Sequence, residues 1–149
     1  MYSIWDAPGP LPHRGGLMPG DEFVHLHVAS GFSARYGACH PQDLVRGAAD
    51  LGMEALALTD RDTVTGAVRH AKACMKAGVR PIFGVDLAVG AFTPALARRA
   101  RPPVRGDAHV MEPPLRITVL ARSAAGWGRL CRLVSAAHAS PADGLPVAS

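Results

Sequence analysis

Two histidines, His25 and His27, stand two positions apart in the run Glu22-Phe23-Val24-His25-Leu26-His27-Val28. On a strand that spacing sends both imidazoles to one face, and paired imidazoles can bind a transition metal. Asp60 and Asp86 are carboxylates that could add hard oxygen ligands beside them. Each feature also has a plainer reading. A two-residue HxH pattern recurs by chance and suits a surface-facing pair at a strand end. A Thr-Asp before a helix is common capping chemistry. Other chemistries lack their residues: no GxxxxGK[ST] or GxGxxG cradles a phosphate, and no GxSxG presents a serine nucleophile. Cys39 and His40 are adjacent, and adjacent side chains rarely point at each other, so they are not read as nucleophile and base.

These residues need elements to hold them. Residues 22–28 have a short strand pattern. Pro41 suits the first turn of a helix, Leu44, Val45, Ala48 and Leu51 mark one face of it, and Gly52 supplies the stop. Residues 54–59 read as a buried strand ending at Asp60. Asp62 or Thr63 is expected to cap a second helix with Val64, Ala67, Val68, Ala71, Cys74 and Met75 inward, closed by Gly78. Val79 to Val89 is a third strand, carrying Asp86 toward its end. Residues 91–114 hold five prolines and four arginines with no period, and read as a long surface excursion. Residues 115–121 resume as a fourth strand. Ser123 caps a last helix with Trp127, Leu130, Leu133, Val134 and Ala137 inward.

Strands alternating with helices imply an α/β fold with parallel pairing. A closed (β/α) barrel takes about 250 residues, so four strands form either a small open sheet or the leading part of a barrel. Chemistry in both belongs at the C-terminal strand ends, near His27, Asp60, Asp86 and Ala121. The expected organisation is an irregular leader over 1–21, one domain over 22–139 interrupted by the loop 91–114, and an irregular tail over 140–149.

Composition narrows the class. The chain of 149 residues is 48% apolar and 19% charged, enough to bury a core. No apolar run is long enough to cross a membrane. Three scattered cysteines without a CxxC pair, and a start without a secretory pattern, point to a reducing cytoplasm. The net charge of +4 is local: residues 1–90 sum to −1 (eight cations, nine anions) and residues 91–132 to +6 (eight arginines against Asp107 and Glu112). Arg98, Arg99, Arg101 and Arg105 could face phosphate, since guanidinium forks match its oxygens. A solvated loop in an arginine-rich composition is the plainer reading, because few aromatics for base stacking accompany them.

The order of the pieces is more specific than any one of them. The stretch from HLHVASGFSARYGACHP through LGMEALALTDRDTVTGA to GVRPIFGVDLAV resembles the start of a PHP (polymerase and histidinol phosphatase) domain. With the later LRITVLARSAAGWGRLCRLVSAA, it is similar to the bacterial C-family DNA polymerases, namely the DNA polymerase III α subunit and its error-prone paralogue. The resemblance covers roughly residues 23–138 and implies the leading part of a PHP-type (β/α) barrel with parallel strands, incomplete in this chain.

What it implies for the ligands is read position by position. Alignment on Ser30, Phe32 and Ser33 makes His27 the first histidine of the family's HxH and puts Ala29 at the second, leaving His25 as an extra upstream histidine. An acidic position falls at Tyr36, the Thr-Asp-His motif reads Thr59-Asp60-Arg61, and Gly-x-Glu reads Gly84-Val85-Asp86. A further histidine position falls at Arg116. The pocket of His25, His27, Asp60, Arg61 and Asp86 is thus expected to be a vestigial metal site, with no bound cofactor and with the guanidiniums paired to Asp60 and Asp86. The polymerase palm lies downstream in that family, so the chain is expected to be an N-terminal portion. Its partner would then be the rest of the polymerase, with DNA reached through the full enzyme and no membrane. The rival reading is a working PHP phosphoesterase with divalent metals; a third is a gene remnant that does not fold stably.

Overall fold

The computed structural model describes residues 23–89 and 115–139. The expected leader, the loop 91–114 with Arg98, Arg99, Arg101 and Arg105, and the tail lie outside the described residues. Six elements follow in order: α1 (Pro41–Asp50), β1 (Ala55–Leu58), α2 (Ala67–Ala77), β2 (Arg80–Ala88), β3 (Arg116–Leu120) and α3 (Ala124–Ala139).

The local signals act as their chemistry requires. Pro41 opens α1, and Gly52 just beyond its end takes φ +73°. Gly78 closes α2 at φ +71° while the Val79 amide returns to the Cys74 carbonyl. At the start of α3 the Ser123 hydroxyl accepts the Gly126 amide at 3.2 Å.

The sheet runs β1-β2-β3. β1 and β2 pair in parallel, with Ala55 opposite Arg80 and Leu58 opposite Phe83. The expected first strand is reduced to a parallel bridge between His25 and Leu56, continued by Ala57 N–H to the His25 carbonyl and Thr59 N–H to the Val28 carbonyl. β3 departs from the parallel expectation. It runs antiparallel to β2, with Gly84 opposite Leu120 and Ala88 opposite Arg116. The parallel inference depends on a helical crossover that carries the chain back to the far end of the sheet. The sequence has no helical period between β2 and β3, and the chain re-enters beside the end it left.

On β2, Phe83, Val85 and Leu87 alternate with Gly84, Asp86 and Ala88. The first set packs with Ala67 of α2 and Leu130 and Val134 of α3, beside the half-buried Trp127. A second cluster joins Val45 and Ala48 of α1 to Leu56, Cys74 and Val79. On the other face Gly84 sits where the strands crowd. A Cβ on Gly84 would stand 2.7 Å from the Val119 carbonyl and 2.8 Å from Thr59 Cγ2. Several residues expected inward are exposed instead: Leu51, Val68, Met75 and Leu133. They sit at the margins of helix faces whose buried centres are Val45 and Ala48, His70 and Cys74, and Leu130 and Val134. Asp62 and Thr63 do not cap α2, which begins after Gly66 without a side-chain cap.

Candidate functional site

The parallel strand ends and the antiparallel return of β3 meet at one place. His27 and Ala29 arrive from the first extended segment and Arg61 follows β1. Asp86 stands near the end of β2, and Arg116 and Thr118 near the start of β3. With Tyr36 they line a cavity of about 490 Å³. The direction of β3 decides this membership. Because the strand is antiparallel, its first residue Arg116 reaches the pocket, whereas Ala121 lies at the opposite end with its amide on the Phe83 carbonyl.

Asp86 is buried and is the charge on which the pocket converges. Arg116 Nε donates to its Oδ2 at 2.9 Å, Arg61 Nε stands 3.5 Å from the same oxygen, and His27 Nε2 stands 3.9 Å away. The Arg61 guanidinium also lies over the Tyr36 ring, 3.5 Å from its centroid, a cation–π contact. Burial and the charge of Arg116 lower the Arg61 pKa from its ordinary value. A guanidinium begins so far above neutrality that it stays protonated.

Asp60 departs from the expected pairing with guanidiniums. It is 1% exposed, and its partners lie in the loop that follows His27. Oδ1 accepts the Ser30 amide at 2.6 Å and the Ser33 hydroxyl at 2.7 Å, and Oδ2 accepts the Ser30 hydroxyl at 2.8 Å. Ser33 Oγ in turn accepts the Arg61 amide at 2.9 Å. Asp60 thus fixes the Ser30–Ser33 loop against the end of β1 and is not among the cavity's lining residues. His25 does not line the cavity either. It lies two residues, roughly 7 Å of strand, before His27, and its exposed ring meets Phe23 edge-on at 4.6 Å.

Asp62 is the residue that sequence reasoning assigned elsewhere. It adopts φ +55°, a left-handed conformation that Asp tolerates better than most residues. Its carboxylate accepts the Ala88 amide and Arg116 Nη2, each at 2.9 Å. Its amide donates to the Asp86 carbonyl at 2.9 Å. The signal for it was the second acid of Thr-Asp-Arg-Asp, two positions beyond Asp60.

The donor set does not fit a catalytic metal. His27 and Asp86 are the only His, Cys, Asp or Glu among the cavity's lining residues. Among the described residues no three such side chains group to hold an ion, while metal sites of catalytic type use three or more protein ligands. The two lining guanidiniums donate but cannot coordinate.

Comparison with known proteins places the chain in a family. Residues 25–146 match the PHP domain. The chain is 40% identical over 145 residues to the error-prone DNA polymerase of Mycobacterium bovis, an alignment covering 90% of this chain and 12% of that protein. It is 43% identical over 67 residues to the DNA polymerase III subunit alpha of Buchnera aphidicola, covering 45% of this chain and 6% of that protein. A solved structure from Bifidobacterium adolescentis, described as a metal-dependent phosphoesterase, aligns at a TM-score of 0.40 and 28% identity over 46% of this chain and 22% of its own. The chain thus spans about an eighth of the length of the M. bovis polymerase. With a match across more than two thirds of its residues, it belongs to the PHP domain family.

Proposed function

We propose that this chain is the PHP domain of an error-prone type of C-family DNA polymerase, the leading part of a PHP-type barrel that acts as a scaffold and does not hydrolyse phosphoesters. In this reading its partner is the rest of such a polypeptide, DNA is reached through that larger enzyme, and the setting is the cytoplasm. Among the described residues no helix is long and apolar enough to cross a membrane. The observation that carries the scaffold reading is the pairing of Arg61 and Arg116 with Asp86, in the pocket where the sequence resemblance puts the family's metal ligands. Such a pocket has neither the ligands for a metal nor a metal-activated water to attack phosphorus. No cofactor belongs to the proposal.

The test is hydrolysis. The full chain, supplied in turn with manganese, zinc and magnesium, is expected to leave a 3′-labelled single-stranded DNA and a phosphomonoester intact. Metal-dependent release of nucleotides that disappears in His27→Ala would replace the scaffold reading with the phosphoesterase one. The family role is tested by a chimera in which this chain replaces the matching segment of the M. bovis polymerase; the chimera is expected to fold and extend a primer.

A further inference from the structure

Arg116 does more than neutralise Asp86. Its Nε donates to Asp86 Oδ2 at 2.9 Å, and its Nη2 donates to Asp62 Oδ2 at 2.9 Å and to the Asp86 backbone carbonyl at 2.6 Å. One guanidinium at the start of β3 therefore gathers three acceptors from the end of β2 and the loop after β1, across 30 and 54 residues of chain. Asp62 is itself held in place for this. Its Oδ1 takes the Ala88 amide, and its carbonyl lies 2.6 Å from His138 Nε2 on α3.

We propose that Arg116 is the built-in cation of this pocket, clamping Asp62 to Asp86 as a bound divalent ion would and keeping such an ion out. The inference rests on the scaffold reading above and deepens it. Charge supports it: Arg61 and Arg116 balance Asp62 and Asp86, so an added divalent ion would meet a neutral group of four with both carboxylates engaged. To bind, the ion would have to displace the charge-assisted hydrogen bonds of Arg116 to both carboxylates, and a guanidinium cannot yield by losing its proton. The site has exchanged a removable cation for one tethered to β3. Its geometry then no longer depends on metal supply.

The test uses the full chain and three variants, Arg116→Met, Arg116→Lys and the double Arg116→Met/Asp62→Asn. Each is melted with EDTA and with manganese. The unmodified chain is expected to melt identically in both and to take up no manganese when free ion is followed by electron paramagnetic resonance. R116M is expected to melt roughly 10 °C lower with EDTA and to recover part of that loss with manganese, because Asp62 and Asp86 are left without their cation. The double variant is expected to stay low in both. R116K, which keeps the charge without the fork, is expected to lose less and to ignore manganese; it serves if R116M does not fold. Stoichiometric manganese in the unmodified chain overturns the clamp, as does an R116M whose loss is equal with and without metal. The latter result would leave the scaffold reading standing, whereas metal-dependent hydrolysis by the unmodified chain would defeat that reading directly.

Discussion

Asp60 shows how much a single buried carboxylate organises here. Its two oxygens satisfy the Ser30 amide and the hydroxyls of Ser30 and Ser33, all buried. Truncation would leave those donors without an acceptor and without water. Each unsatisfied buried group costs about 1–3 kcal/mol. Asp60→Ala is therefore expected to lose about 3 kcal/mol or more, and Asp60→Asn less, because the amide keeps one acceptor. Urea melts of the two variants against the unmodified chain check the order, and equal losses would show that the cluster is not held by its hydrogen bonds.

At the scale of elements, α2 carries a titratable group into the core. His70 is wholly buried, with Nε2 3.1 Å from the Leu56 carbonyl and its ring edge-on to Phe83 at 5.9 Å. Burial lowers its pKa, only partly countered by the Leu56 carbonyl and the charge of Asp60. One turn on, burial pushes the Cys74 thiol up to about 12, so it stays neutral beside His70. Because the folded His70 pKa lies below the unfolded value, the unfolded chain binds more protons once the pH falls below about 6.5. The stabilising contribution of neutral His70 is complete above that pH and declines below it, by at most about 1.4 kcal/mol per pH unit. Denaturant midpoints from pH 8 downward are expected to show this slope, and His70→Gln to flatten its upper part. A slope unchanged in His70→Gln would assign the acid sensitivity to the carboxylates.

On the scale of the whole molecule, β3 is the exposed margin of the sheet. Among the described residues no strand pairs with its outer side. Leu115, Ile117 and Leu120 on and beside it are exposed, as is Leu133 of α3. A free edge with apolar side chains is a template for another strand. The isolated chain is therefore expected to self-associate. Ile117→Lys, which places a charge on that edge, is expected to shift it toward monomer in sedimentation velocity, and a chain that is already a clean monomer would refute the edge as a sticky surface.

The sequence by itself determined most of the features that act over a few residues, the start of α2 after Gly66 excepted. Helix starts and stops at Pro41, Gly52, Gly78 and Ser123 were legible because caps and left-handed turns depend on local chemistry. The family was legible too, since its motifs are ordered along the chain, and so was the presence of arginine at 61 and 116. What a side chain meets 30 or 54 residues away was not. The direction of β3 turns on how the chain returns to the sheet, and that direction alone brings Arg116 to the site in place of Ala121. A guanidinium pairs with whichever carboxylate the register presents. The register presents Asp86 and Asp62, because Asp60 is already taken by the hydroxyls of the Ser30–Ser33 loop.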